Sequence, residues 1–175
     1  MIARVDGSRS LRLAPRGLFE QMLAYAVIPT FDLVLAYGEQ GVIVCRRRTA
    51  PYKGVWALPG LRMMKPEGID DTIRRIANEE LGLEVETREK VLIGQYVGRF
   101  RTEHERQDLS TAYFLPVAED QPIKPNESHF SSVAVIDHVP ARMGAMYRFY
   151  LERYFASDLR QKFPSRRSVS WSWTG

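Results

Sequence analysis

The sequence predicts an α/β fold, an α/β/α sandwich in which a mixed sheet lies between helices. Two runs rich in β-branched and aromatic residues, 28–37 and 41–48, flank a glycine-containing turn and are typical of a hairpin. An amphipathic helix follows them and ends just before Gly82. Strand-like patterns at 91–101 and 111–117 come after it, and this alternation of strands and helices favours a layered α/β domain.

The elements are predicted from local periodicity along the chain. A helix is expected at 15–26, and after the two strands the loop 49–60 contains a short strand at Trp56–Leu58. The strands 91–101 and 111–117 lie on either side of a polar crossing, 102–108. A short strand at 133–136 precedes a last helix, 141–155, whose apolar stripe is expected in the core: Met143, Met146, Tyr147, Tyr150, Leu151 and Tyr154.

Composition limits the class of protein. At 175 residues the chain is expected to form one domain over 1–155, followed by an extension, 156–175, that contains Trp171 and Trp173. The net charge of +4 and pI of about 9.3 favour anionic ligands without indicating nucleic acid. Cys45 is the single cysteine and lies in an apolar run, so we expect a buried thiol. No apolar run is long enough for a membrane span and no signal region precedes the fold, so we expect a cytoplasmic protein.

The most informative segment is 59–83, a glycine turn, a loop ending at Glu67, and a helix closing with Glu79 and Glu80 before Gly82. Ile69, Ile73, Ile76 and Ala77 recur at helical spacing and are expected to be its buried stripe. Carbonyl and carboxylate oxygens arranged this way can hold a divalent cation. The helix alone, without the flanking loop, would favour a solvated surface helix carrying one Arg75–Glu79 ion pair.

The segment resembles the Nudix hydrolase signature, Gly-x5-Glu-x7-Arg-Glu-U-x-Glu-Glu-x-Gly-U with U aliphatic. Two positions depart from it, because Leu61 replaces the signature glycine and Ile76 replaces the first glutamate of the helix. The positions that match are Glu67, Arg75, Ala77, Glu79, Glu80, Gly82 and Leu83. The resemblance implies a Nudix-like sandwich and a catalytic Mg²⁺ or Mn²⁺ ion. It implies as ligands Glu79 and Glu80, with the Gly60 carbonyl and possible help from Glu127.

Within the family, residues 11–155 are most similar to the GDP-mannose mannosyl hydrolase subgroup, which also lacks a carboxylate at the position of Ile76. The similarity includes Pro29–Asp32, 54–60 and Glu127–His129. It implies that His129 is the general base, with Glu127 kept as a second candidate in the same loop. Ser128 stands where the subgroup has a metal-binding glutamine, which leaves the identity of the substrate open.

Cationic and acidic residues around this segment are the candidate substrate contacts. Arg47 ends a strand, and Arg62 follows the glycine turn, so both can donate paired hydrogen bonds to a diphosphate. Asp32 interrupts an apolar strand and needs a polar partner or a pocket, and the resemblance implies contact with sugar or nucleotide. Further cleft candidates are Lys65, Tyr96 and Asp108, whereas His104 and His138 are expected at the surface.

These features favour a metal-dependent hydrolase of a nucleoside diphosphate linked to another group, with a GDP-mannose-like nucleotide sugar as substrate. Two alternatives stay open: a Nudix pyrophosphatase acting on ADP-ribose or dinucleotides, and a non-catalytic nucleotide-sensing domain, which the replacements at Leu61, Ile76 and Ser128 favour. A homodimer is compatible with the resemblance. We expect no membrane partner and no nucleic acid partner.

Overall fold

The computed structural model describes residues 14–50, 52–101 and 105–159 and confirms the predicted mixed sheet between helices. The helices are α1 (Arg16–Tyr25), α2 (Ile69–Leu81) and α3 (Ala145–Phe155), with a 3₁₀ turn at Thr87–Glu89. The strands are β1 (Val27–Tyr37), β2 (Gly41–Arg47), β3 (Trp56–Ala57), β4 (Gly60–Arg62), β5 (Val91–Phe100), β6 (Arg106–Val117) and β7 (Phe130–Ile136).

One seven-stranded sheet organises the fold, with the order β3-β2-β1-β6-β5, β4 paired to β1 and β7 paired to β2. β1 and β6 run parallel over eleven residue pairs, from Val27–Gln107 to Tyr37–Val117, and the other pairings are antiparallel. β1 is therefore the central strand, and residues at its start lie beside both β4 and β6.

Two apolar clusters lie on opposite faces of the sheet. Helix α3 covers one face, where Tyr150 and Leu151 are fully buried with Val34 and Phe114. Helix α2 covers the other face through its buried residues Ile73, Ile76, Ala77 and Leu81. Burying apolar side chains on both faces of a sheet is the main favourable term in such a fold. Cys45 is buried in the second cluster, as predicted.

The structure corrects several predicted boundaries. Strand β4 was not predicted, because three residues are too short to show a period. β6 begins at Arg106 and not at 111, since its first half alternates polar side chains with Leu109. β7 begins at Phe130, and α3 begins at Ala145. Ile69 was predicted in the buried stripe of α2 but is 42% exposed at the first helical position, before the helix reaches the sheet.

The described fold continues to Leu159, which is buried against the α3 cluster. His138 is exposed as predicted. His104, Trp171 and Trp173 lie outside the described residues, so the predicted extension stays a prediction. Among the residues that the structure describes, no helix is both long enough and apolar enough to cross a membrane.

Candidate active site

Strand β4 brings the glycine turn against the start of β1. Gly60 pairs with Asp32 across the two strands, and Arg62 pairs with Thr30. A methyl group built on Gly60 would overlap the Asp32 carboxylate and the Phe31 carbonyl oxygen. Only glycine allows this approach, which explains why the turn keeps Gly60 although Leu61 replaces the second glycine of the signature.

Glu67 and Arg75 form the buried end of the signature segment. Arg75 donates two hydrogen bonds to Glu67, one to the Arg62 carbonyl oxygen at 2.8 Å, and one to Glu79 Oε2 at 3.3 Å. Glu67 also accepts from the Met64 amide and the Thr72 hydroxyl. Burial alone would raise the pKa of Glu67, but the hydrogen bonds from Arg75, Met64 and Thr72 outweigh it and lower that pKa below its usual value. This pair fastens the loop to the helix.

The other end of α2 anchors the loop that carries His129. Gly82 adopts a left-handed conformation, φ 66°, and its amide caps the helix on the Asn78 carbonyl oxygen at 2.8 Å. Two free carbonyl oxygens of the last turn then accept hydrogen bonds from the loop: Leu81 from the Lys124 amide and Glu80 from the Asn126 amide, both at 2.8 Å. The helix end therefore positions the loop through its backbone.

Glu80 and His129 meet at this point. Their carboxylate Oε1 and ring Nδ1 atoms lie 2.6 Å apart, with the Glu80 side chain 2% exposed and the His129 side chain 42% exposed. Burial raises the pKa of Glu80, against the opposing hydrogen bond and charge of His129, and the neighbouring Glu79 carboxylate raises it further. When the Nδ1 proton is donated to Glu80, Nε2 becomes the proton acceptor of the ring.

Arg47 lies between the two buried carboxylates of the site. Its charge attracts both Glu80 and Asp32 and opposes the rise of their pKa values. Burial nevertheless raises the pKa of Asp32 to about 7, while a hydrogen bond from the Ser110 hydroxyl lowers it and the nearby charge of Asp108 raises it. Asp32 thus has the polar partner that its position in the strand required.

Arg62 faces a cavity of about 640 Å³ between α1, β1 and the signature loop. Its guanidinium carbon lies 4.2 Å from the centre of the Phe19 ring. Most of the wall is apolar, and Lys65 and Glu67 add polar groups; the apolar wall includes Phe19, Met22, Ile28, Pro29, Met63 and Met64. The cavity and the Glu80–His129 pair lie at the two ends of the signature segment.

The donor set fits a divalent cation that a substrate would help to bind. Among the described residues, no three His, Cys, Asp or Glu side chains cluster as a complete metal site. Glu80 Oε2 nevertheless accepts no hydrogen bond from any described residue, although the side chain is buried beside Glu79. Mg²⁺ is commonly held by one or two carboxylates together with substrate phosphates. Glu127 is exposed and makes no polar contact with the described residues, and its role as a metal ligand stays a prediction.

The structure also adds two residues that were not predicted, Arg106 and Ser110, as partners of the predicted carboxylates Asp108 and Asp32. Arg106 donates two hydrogen bonds to the buried carboxylate of Asp108, and Ser110 donates to Asp32. Arg106, Asp108 and Ser110 are spaced two apart and share one face of β6. This alternation was present in the sequence but fell partly in the segment read as a polar crossing. Phe19, by contrast, gave no signal, because its contact with Arg62 joins distant elements.

A model of the NUDIX domain matches residues 28–148, which is more than half of the chain. The chain belongs to the Nudix family. This membership supports the predicted hydrolase class.

Individual proteins are similar over shorter or more divergent stretches. The low-salt glycan biosynthesis protein Agl8 of Haloferax volcanii is 35% identical over 71 residues, covering 41% of this chain and 45% of the relative. A Nudix hydrolase from Nitrosomonas europaea aligns with a TM-score of 0.61 at 17% identity, covering 74% of this chain and 89% of that one.

A bifunctional NMN adenylyltransferase/ADP-ribose pyrophosphatase from Francisella tularensis, in complex with AMP and a manganese ion, aligns with a TM-score of 0.52 at 17% identity. The alignment covers 79% of this chain and 40% of that one. At these identities the structural likenesses support the fold of the chain.

Proposed function

We propose that this protein hydrolyses a nucleoside diphosphate linked to another group, and that the preferred substrate is a nucleotide sugar. The observation that carries this proposal is the Glu80–His129 pair, placed beside Arg47 at the end of the signature helix. Ile76 is fully buried in the core, so the helix position that carries a carboxylate in the family signature supplies no base here. His129 on the neighbouring loop fills that role.

Glu80 and Glu79 would hold Mg²⁺ or Mn²⁺ together with the Gly60 carbonyl, and Glu127 is a further candidate ligand. A bound metal ion would neutralise charge on the diphosphate. The similarity to the Francisella tularensis protein in complex with AMP and a manganese ion supports a divalent metal ion as the cofactor. Glu80 also keeps the His129 ring oriented through Nδ1.

The remaining groups bind and orient the substrate. Arg47 and Arg62 donate hydrogen bonds to the diphosphate oxygens, and the cavity beside Arg62 takes an apolar or aromatic part of the substrate, such as the base. Asp32, beside Arg47, accepts a hydrogen bond from a hydroxyl of the substrate. His129 removes a proton from water at Nε2.

The nature of the substrate is supported by sequence similarity. The glycan biosynthesis protein Agl8 is 35% identical over part of the chain, and glycan assembly commonly draws on activated sugars. The rival is a pyrophosphatase acting on ADP-ribose or a dinucleotide, which the likeness to the Francisella protein favours.

Products separate the two reactions. The protein is incubated with GDP-mannose, other nucleotide sugars and ADP-ribose in ¹⁸O-labelled water with Mg²⁺, and the products are resolved by chromatography and mass spectrometry. We expect an intact nucleoside diphosphate and a labelled free sugar. Two monophosphates with label in phosphate would favour the pyrophosphatase, and binding of these compounds without turnover would favour the sensing domain.

The base assignment has its own measurement. The rate should rise with pH as the base loses its proton, and His129→Gln should lower kcat by about a hundredfold or more and flatten this limb. Glu127→Gln is the matched control in the same loop, and it should leave the limb in place. A His129→Gln variant at full activity would remove this residue from the mechanism.

A further inference from the structure

Arg62 is a cation that has no anionic partner among the residues that the structure describes. Its guanidinium is partly buried and stacks on Phe19, but it donates no hydrogen bond to any described residue. The neighbouring Arg75 already forms an ion pair with Glu67. Arg106 lies on a different strand, β6. An unsatisfied guanidinium at a cavity wall is suited to an oxyanion ligand.

The guanidinium group of Arg106, on strand β6, is held by two hydrogen bonds to Asp108. Its Nε donates to Asp108 Oδ1 at 2.6 Å and its Nη2 to Asp108 Oδ2 at 2.5 Å, and Asp108 is 3% exposed. The Arg106 guanidinium carbon lies 5.7 Å from the centre of the Phe100 ring. Because Asp108 occupies only one edge of the planar fork, Nη1 and the outer Nη2 proton keep their donor capacity.

The sheet register brings the two arginines to one face. Arg62 of β4 pairs with Thr30 of β1, which in turn pairs with Ser110 of β6. Arg106 and Ser110 are four residues apart on β6, so their side chains point to the same side. Arg62 and Arg106 therefore lie on one face of the sheet, on the two strands that flank the start of β1.

We propose that Arg106 is a further substrate-binding residue and that Arg62 and Arg106 together grip one oxyanion group of the substrate diphosphate. This rests on the proposed function and deepens it by naming a second cation on the β6 side of the site. Asp108 acts as a positioning residue, because it fixes the fork of Arg106 before substrate arrives. The preorganised fork loses little freedom when it donates to an oxyanion.

The test uses methylenediphosphonate, a diphosphate analogue that is not hydrolysed, with binding to the full chain measured by calorimetry in the presence of Mg²⁺ and physiological salt. Arg106→Gln should weaken binding about tenfold, as expected for loss of a charged hydrogen bond. Arg153→Gln is the matched control, since Arg153 also stacks on a phenylalanine, Phe149 at 5.1 Å, but lies on α3. This control changes net charge equally and should bind the probe as the parent does.

A second variant covers the risk that Arg106→Gln leaves the buried Asp108 carboxylate poorly paired. Arg106→Lys keeps a cation beside Asp108 but loses the fork, and it should bind the probe with an affinity between those of the parent and the glutamine variant. Thermal melting of each variant shows whether the fold is retained. Adenosine binding should be the same in all variants, because a nucleoside carries no oxyanion.

Three results would overturn the proposal: no binding of the probe by the parent, equal affinity in the parent and both Arg106 variants, or equal weakening by Arg153→Gln. The turnover assay on nucleotide sugars is independent of these results. A protein that binds the probe through Arg106 but hydrolyses none of the substrates would keep this subsite and lose the hydrolase assignment.

Discussion

The two ends of helix α2 carry the same residue type in opposite environments. At the N-terminal end, Glu67 is surrounded by donors from Arg75, Met64 and Thr72, and its pKa is lowered. At the C-terminal end, the Glu80 carboxylate has only His129 as a hydrogen-bond partner among the described residues, and burial raises its pKa. The first glutamate is stabilised as an anion by the protein itself, whereas the charges of Arg47 and His129 only partly offset the burial of the second.

The helix dipole increases this contrast. Asp70 and Asp71 lie in the first turn, where carboxylates are favoured, but Glu79 and Glu80 lie in the last turn, which has no basic residue. Placing two carboxylates at the negative end of a helix costs stability. The difference indicates that one end of α2 is scaffold and the other is a site that a cation or substrate completes.

The largest expected effect is on the scaffold end. Arg75→Met should lower the free energy of unfolding by about 3–5 kcal/mol, because it leaves the Glu67 carboxylate buried without its cation. The Glu67 and Arg75 side chains are 7% and 11% exposed. Urea denaturation measures the change, and Arg16→Met, which removes an exposed pair with Glu20, is the control. If Arg75→Met lowered the free energy of unfolding no more than Arg16→Met does, the N-terminal end of α2 would not be a stabilising scaffold.

The opposite end should respond in the opposite way. Glu80→Gln should reduce Mg²⁺-dependent turnover by about a hundredfold or more, since it disturbs both the metal site and the orientation of His129. It should not lower stability at pH 8, because it removes a buried charge that burial disfavours. Metal titration, kinetics and urea denaturation measure these quantities. Unchanged metal affinity and turnover in a folded variant would remove Glu80 from the site.

Asp32 extends the contrast to a third carboxylate through pH. Its pKa rises from 3.8 to about 7 on folding, so the folded state binds the proton more tightly than the unfolded state. Proton binding by Asp32 therefore contributes its full stabilisation of the folded state below about pH 4. This contribution is lost as pH rises through 7, which lowers the free energy of unfolding by at most about 4 kcal/mol.

The measurement is urea denaturation between pH 4.5 and 8 with a chelator present, so that no metal compensates the charge. Asp32→Asn should flatten this part of the pH dependence and should be more stable than the parent at pH 8. Glu67→Gln is a control whose effect on stability should have the opposite sign. The pKa of Glu67 is lowered in the folded state, so this group contributes stability at pH values above its unfolded-state pKa. An identical slope in the parent and in Asp32→Asn would contradict the buried, proton-binding environment.

The smallest expected effect concerns Arg62. Arg62→Ala should lower kcat/KM by an amount worth about 1.5–3 kcal/mol, as for a hydrogen bond to a charged group. Stability should change little, since Arg62 makes no hydrogen bond through its side chain to the described residues. Equal values of kcat/KM for the variant and the parent would place the diphosphate elsewhere.

The sequence by itself determined the family, the sandwich and the identity of the signature residues. The signature residues could be predicted because their positions follow from fixed spacing along one loop and one helix; they are Glu67, Arg75, Glu79, Glu80 and Gly82. Local geometry is set by near neighbours in the chain, so a pattern of i, i+3 and i+4 positions is sufficient to place them.

Only the tertiary structure decided which distant residues meet. The pairing of Glu80 with His129, 49 positions apart, depends on the loop being fastened to the end of α2. The placement of Arg62 and Arg106 on one face depends on the register of β1 with β4 and β6. Burial also raised the pKa values of Asp32 and Glu80, and the extent of that burial could not be predicted from the sequence. Contacts and desolvation depend on the packing of the whole chain, and local patterns do not encode them.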